Sequence, residues 1–351
     1  MRIKKGKIPK GAVMRASLVI TIILLYLPAC SASAENPGTA ILTVDVGARL
    51  RAVPPLIFGH NLEWSWGGSG LFKQDGTGPV ERLVPLIKAL HPGLIRYPGG
   101  SQANVFRFVQ SLGPLGQRKP VANFFSIKGH WTEKVEYQTE KPLLGFDDFM
   151  AFTRATEAAG AMVTINCTWW PHNAEISGTP QEAAAWVAYA NAALGAAPVP
   201  IGLDRRGINW RDSKYWANLR KQHGHPEPYN VKYWEIGNEV YDPSQGAGVS
   251  GVKYAVTATE FAQTMKSVDP SVRIGAVIAC DQPGWNDAVI GAAGPALIDF
   301  LILHTYGPGE TAESPAWWRK GSRPQPLKKM QLLSSHAEML DRCLTQIGRV
   351  I

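Results

Sequence analysis

Tyr233-Trp234-Glu235-Ile236-Gly237-Asn238-Glu239 is the stretch that decides the fold. Val231 to Ile236 reads as a short buried strand, led in by the turn-forming Pro226-Glu227-Pro228 and stopped by Gly237. An apolar run of this length suits an interior parallel strand whose C-terminal tip projects polar side chains, and α/β barrels keep their chemistry at such tips. A turn with a solvated carboxylate would read the same in isolation. The assignment therefore rests on other strand-like runs in the chain that also end in polar or aromatic residues.

Upstream, Ala40 to Leu50 alternates as a strand, Pro54-Pro55 breaks it, and Leu56-Ile57-Phe58-Gly59-His60-Asn61-Leu62-Glu63 predicts the first barrel strand. Val80, Leu83, Ile87 and Leu90 recur at helical spacing within Gly78 to Leu90, and Leu94-Ile95-Arg96-Tyr97-Pro98-Gly99-Gly100 follows as a strand and turn. Residues 101–145, rich in Gly, Pro and aromatics, predict a long loop over the barrel mouth. Asp147 or Asp148 would then cap a helix ended by Gly160, and Met162 to Cys167 would form a third strand with Trp169-Trp170-Pro171-His172-Asn173 as its exit.

Thr179-Pro180-Gln181-Glu182 has the capping-box pattern with proline at the first helical position, which predicts a helix to about Ala193. Downstream of the central strand, Tyr254, Ala258, Phe261, Met265 and Val268 form one helical stripe. Arg273 to Ala279 and Ile298 to Leu303 read as strands, the latter leading to His304-Thr305-Tyr306-Gly307. A helix from about Leu327 and a seventh strand beginning at Arg349-Val350-Ile351 complete the order. Strands alternating with helices indicate an α/β fold with a covered parallel sheet. The expected architecture is an incomplete (β/α)8 TIM-type barrel of about six strands, with an open doubly wound sheet as second choice. Gly67-Gly68-Ser69-Gly70 lacks the spacing of a phosphate-binding loop, which disfavours nucleotide binding.

The formal charge of +8 in 351 residues is not a nucleic-acid signature, because Arg2, Lys4, Lys5, Lys7, Lys10 and Arg15 all precede the first acidic residue. These residues begin a leader, residues 1–34, with an apolar run from Leu18 to Leu27 and an A-x-A pattern at Ala32-Ser33-Ala34. Leu27-Pro28-Ala29-Cys30 alternatively resembles a bacterial lipoprotein box with a lipid anchor on Cys30. Either reading predicts export to a periplasmic, extracellular or lipid-anchored location. Of Cys167, Cys280 and Cys343 not all can pair, and their spacing fits no zinc site, so they are expected as buried thiols without a disulfide framework. His223-Gly224-His225 lacks an evident third ligand, no metal or cofactor is expected, and no G-x-S-x-G elbow is present.

Glycoside hydrolysis needs a carboxyl group to protonate the leaving oxygen and usually a second to attack or to activate water. Glu239 is the candidate acid, a role that requires desolvation or a neighbouring negative charge to keep its proton. Asn238 is placed to reach a sugar hydroxyl, Arg96 to anchor a carboxylate network, Glu63 to bind hydroxyls, and His304 and Tyr306 to line the same face. Trp64, Trp66, Trp169 and Trp170 offer flat apolar surfaces for sugar C–H faces. Each has a structural alternative: Arg96 as a buried ion pair, Tyr306 and the tryptophans as core. Their shared position at strand ends favours function.

Together, Phe58-Gly59-His60-Asn61-Leu62-Glu63, Arg96-Tyr97-Pro98-Gly99-Gly100, Tyr233 to Glu239 and His304-Thr305-Tyr306-Gly307 resemble the glycoside hydrolase family 51 α-L-arabinofuranosidases. The resemblance runs from about Ile41 onward. It implies a retaining hydrolase of arabinose-containing oligosaccharides or polysaccharides, with Glu239 as acid/base, Asn238 on the sugar 2-hydroxyl, and Glu63, Arg96 and Tyr306 shaping the terminal subsite. The family's asparagine after the Gly-Gly turn is replaced by Ser101, so Asn104 carries that role over. The resemblance also places the nucleophilic Glu on a seventh strand, beyond residue 351, and assigns residues 40–50 to a C-terminal β-sandwich that is lacking. Residues 51–351 are then a partial catalytic domain that turns over poorly and exposes apolar sheet edges. A β-xylosidase or endoglucanase of the same clan, or a non-catalytic sugar-binding remnant, are the competing readings.

Overall fold

The computed structural model describes residues 52–129, 135–170, 172–245, 248–280, 284–305 and 340–345, with Gly47, Gln282, Ile347 and Gly348. The leader, Tyr306 and the strand expected at 349–351 lie outside the described residues, as does the 40–50 strand apart from Gly47. In chain order the regular elements begin with β1 (His60–Asn61), the single turn α1 (Ser65–Ser69), α2 (Val84–Ala89), β2 (Leu94–Tyr97), β3 (Val121–Ala122) and β4 (Thr139–Glu140). They continue with α3 (Phe146–Ala155), β5 (Gly160–Ile165), α4 (Pro180–Asn191), α5 (Ser213–Gln222) and β6 (Tyr233–Ile236). The last are α6 (Gly251–Val268), α7 (Trp285–Leu297), and the strands β7 (Arg273–Ile278) and β8 (Phe300–Leu303) that precede and follow α7.

Six strands pair in parallel in the order β1-β2-β5-β6-β7-β8. Spatial order that follows chain order without reversal is barrel winding; a doubly wound sheet reverses at a switch point. The described fold is therefore an incomplete TIM-type barrel. On β6, Trp234 and Ile236 are buried, and Trp234 meets Trp186 of α4 edge-on at 6.0 Å. Alternation then sends Glu235 to the opposite face, level with Thr164 of β5 and Gly275 of β7. Near β1, the outer strand, Ile57, Phe58, Leu86 and Leu90 are exposed.

Several expectations are corrected. The first strand shrinks to two residues, because a 3₁₀ turn at Pro55–Ile57 occupies its start. The described part of residues 101–145 is not a bare loop: 3₁₀ turns and the β3–β4 ladder fold it onto a second core of Val105, Ala122, Phe124, Ile127, Trp170 and Ile176. Gly145, not Asp147 or Asp148, caps α3, with Asp148 accepting the Gly145 amide at 2.9 Å; Gly160 opens β5 instead of closing the helix. Thr179 caps α4 by accepting from Glu182 N at 3.2 Å, but the Glu182 carboxylate is engaged by Arg107 and Arg206. Cys280 and Cys343, 63 residues apart, form a disulfide, and only Cys167 is a free buried thiol among the described residues.

The polar stretch before β6 is built around Asp204. Burial pushes its carboxyl up, but hydrogen bonds from Trp210 Nε1, Arg206 and the amides of Ile208 and Arg206 outweigh this and hold it at about 2. Its folded value lies below the ordinary 3.8, so the stability it contributes is present above that value and is lost as pH falls through about 2. Asp204→Asn is expected to unfold at lower temperature at neutral pH, and to lose less further stability than the parent between about pH 4 and 2. Equal acid sensitivity in thermal unfolding would contradict this assignment.

Candidate functional site

The C-terminal ends of β2, β6 and β8 bring Arg96, Asn238, Glu239 and His304 together. Arg96 carries the centre. Its Nε and one guanidinium nitrogen donate to the two oxygens of Glu235 at 2.5 and 2.9 Å, the latter nitrogen also donates to Asn238 Oδ1 at 2.8 Å, and the other donates to Asn61 Oδ1 at 3.0 Å. Thr164 Oγ1 donates to Glu235 Oε2 at 2.6 Å. The Glu235 side chain is wholly buried, and a carboxylate there is tolerable only with such a full set of partners.

Glu239 follows the strand end through a bend that needs Gly237: φ is +78°, and an added Cβ would lie 2.5 Å from Cys167 Sγ. Glu239 itself has φ +46°, a costly left-handed setting for a residue with a side chain, and such outliers cluster at functional sites. Its Oε1 lies 3.0 Å from His304 Nδ1, while His304 Nε2 lies 3.8 Å from Glu235 Oε1. One imidazole thus stands between the buried carboxylate and the partly exposed one.

Glu63 joins from the β1 side. Burial pushes its carboxyl up, against hydrogen bonds from the Gly100 amide and Ser65 and the charge of Arg96. With the folded value raised, the contribution is fully present below the ordinary 4.5 and is lost as pH rises through the higher value. The Gly-Gly turn fits between these groups. A Cβ on Gly99 would lie 2.6 Å from Glu63 Cγ, and one on Gly100 would lie 3.5 Å from Asn238 Oδ1.

The remaining sequence candidates divide. Asn104 is corrected from substrate contact to positioning residue: it is fully buried, its amide nitrogen donates to the Asn238 carbonyl at 2.9 Å and to Gln245, and its oxygen accepts from Asn238 N at 3.2 Å. Trp64 and Trp170 are corrected from sugar platforms to core, each 0% exposed. Trp169 is half-buried, with the Arg205 guanidinium 3.6 Å over its ring centre, so one face is taken. His223 Nδ1 sits 2.8 Å from Tyr189 Oη in a cluster on Asp147. Sequence reasoning missed Glu235, Thr164 and Gln245. Glu235 had a signal, a charge between Trp234 and Ile236 in an interior strand, which requires a partner.

Residues 86–322 match the family model described as Alpha-L-arabinofuranosidase 1 domain. The alpha-L-arabinofuranosidase C of Emericella nidulans is 29% identical over 295 residues, covering 78% of this chain and 50% of that protein. An intracellular exo-alpha-(1->5)-L-arabinofuranosidase of Halalkalibacterium halodurans is 24% identical over 283 residues, covering 76% and 48%. The arabinose complex of the Thermotoga maritima alpha-L-arabinofuranosidase superposes with TM-score 0.55 at 29% identity, over 70% of this chain and 45% of that one. A family 51 enzyme from Bifidobacterium longum shares the fold with TM-score 0.64 at 21% identity, over 88% and 52%. The chain spans about half the length of the curated relatives it matches. With the strand-end cluster and the family match over most of its length, the chain belongs to the alpha-L-arabinofuranosidase 1 domain family.

Proposed function

We propose that the chain carries the acid/base part of a retaining glycosidase site that releases terminal α-L-arabinofuranosyl residues from arabinose-containing oligosaccharides or polysaccharides. The observation that carries this reading is Glu239, held at a strand end beside Arg96, Asn238 and His304 with its carboxyl 3.0 Å from His304. In the first step the Glu239 carboxyl protonates the departing glycosidic oxygen while a nucleophilic carboxylate attacks the anomeric carbon. That second carboxylate is expected from a seventh strand, outside the described residues. Glu239 then takes a proton from water as the intermediate hydrolyses. Asn238, oriented by Arg96 and Asn104, is assigned to the 2-hydroxyl and Glu63 to the others, and the resemblance adds Tyr306, outside the described residues, to the same subsite. The names of the relatives support the sugar assignment. The leader composition supports export, by cleavage after Ala34 or lipid on Cys30, and the Cys280–Cys343 disulfide suits an oxidising compartment.

The test is cleavage of 4-nitrophenyl α-L-arabinofuranoside against the β-D-xyloside, with and without azide as an external nucleophile. Release from the arabinofuranoside alone is expected. Preference for the xyloside would overturn the sugar assignment.

A further inference from the structure

Asn238 is almost wholly buried, so its side-chain amide serves a sugar hydroxyl only if the right atom faces it. The neighbours decide which atom that is. Arg96 has donors only, so the atom 2.8 Å from its guanidinium is the oxygen Oδ1. Nδ2 is then turned away from Arg96, and 3.2 Å from it stands Oε1 of Gln245. Gln245 is half-buried and lies in the 3₁₀ turn Pro243–Gln245, seven residues after Asn238.

The Gln245 amide is set in its turn. Asn104 Oδ1 accepts from the Asn238 backbone amide at 3.2 Å, which turns Asn104 Nδ2 toward the carbonyls of Asn238 and Gln245, at 2.9 and 3.1 Å. The same nitrogen lies 3.4 Å from Gln245 Oε1. Two side-chain amide nitrogens thus converge on one oxygen, and a reversed Gln245 amide would oppose its own nitrogen to both. A reversed Asn238 amide would likewise set Nδ2 against the Arg96 guanidinium and Oδ1 against Gln245 Oε1. Only one arrangement of the three amides lets each of these donors meet an acceptor.

The lock leaves Asn238 one Nδ2 hydrogen and one Oδ1 lone pair for a ligand. It also reaches the segment that carries Glu239. Asp242 N donates to the Glu239 carbonyl at 2.8 Å, and Gln245 N to the Asp242 carbonyl at 3.0 Å. The chain that leaves the left-handed Glu239 backbone therefore returns to Asn238 through the Gln245 side chain.

We infer that Gln245 is a positioning residue: by accepting from Asn238 Nδ2 it fixes which edge of that amide meets the sugar, and so makes the site select a ring that carries a 2-hydroxyl. This rests on the reading of Asn238 as the partner of the 2-hydroxyl of a terminal arabinofuranose. The Arg96 contact alone is not enough, because one hydrogen bond to Oδ1 lets the amide swing about it. The second contact, at Nδ2, removes that freedom.

Calorimetric titration of the full chain with the uncleavable methyl 1-thio-α-L-arabinofuranoside and with its 2-deoxy analogue tests it. The parent chain is expected to prefer the arabinofuranoside by about three- to tenfold, the range of one neutral hydrogen bond. Gln245→Met keeps the length of the side chain without a strong acceptor and should shrink that preference to less than about twofold, the loss falling on the arabinofuranoside. Gln245→Glu keeps an acceptor oxygen and should retain most of the preference. The inference is overturned if Gln245→Met discriminates like the parent, if it weakens both ligands equally, or if Gln245→Glu loses as much as Gln245→Met. A parent chain that binds both ligands without preference overturns the placement of Asn238 on the 2-hydroxyl, and one that binds neither overturns the arabinofuranosyl site itself.

Discussion

Glu235→Ala is expected to lower the unfolding free energy by about 3–5 kcal/mol, the loss typical of removing one partner from a buried ion pair. Glu235 is fully buried and Arg96 is 12% exposed at its side chain, so the stranded guanidinium has little access to water. The same change leaves Thr164 Oγ1 without its acceptor and removes the group that fixes two of the Arg96 nitrogens, so Asn238 loses its orientation as well. Glu235→Gln keeps the shape and one acceptor oxygen and should cost less than Glu235→Ala. Urea unfolding of both variants gives the comparison. If Glu235→Ala unfolds like the parent, the buried pair is not what holds the strand ends together.

The second large effect concerns turnover. With azide as nucleophile, Glu239→Gln is expected to slow cleavage of an alkyl α-L-arabinofuranoside by about 10²–10⁴-fold, the usual contribution of a positioned proton donor. The loss should be much smaller with a 4-nitrophenyl leaving group, which departs readily as an anion and needs the proton less. Unfolding stability should be close to that of the parent, since the side chain is partly exposed, as is its neighbour His304. Equal loss on both substrates would assign Glu239 to binding instead of proton transfer.

How legible this was in the sequence follows from what each residue needs. Thr179-Pro180 announces α4 because capping is local, and the alternation at Trp234-Glu235-Ile236 announces β6 because one strand face must be buried. α5 escaped detection because it buries only Ser213, Trp216, Ala217 and Arg220, and the apolar members are too few to show a period. α7 escaped because its Gly and Ala positions, with a break at Gly294, blur any stripe. The Cys280–Cys343 pair depends on a contact across 63 residues that no spacing encodes. In the site, Glu63, Arg96, Asn238 and Glu239 were legible as strand-end polar residues, whereas the burial of Asn104 was not. Only the folded 101–145 segment shows that its amide is fully occupied by Asn238 and Gln245.

The central claim is that Glu239 stands where the departing oxygen of a terminal arabinofuranose receives its proton. The structure of the chain with a thio-linked, uncleavable arabinofuranosyl disaccharide measures this directly. The account predicts the terminal ring between Glu63, Arg96 and Asn238, with the bridging sulfur facing the Glu239 carboxyl at contact distance. A ring bound elsewhere, or one bound there with its bridging atom turned away from Glu239, would contradict it.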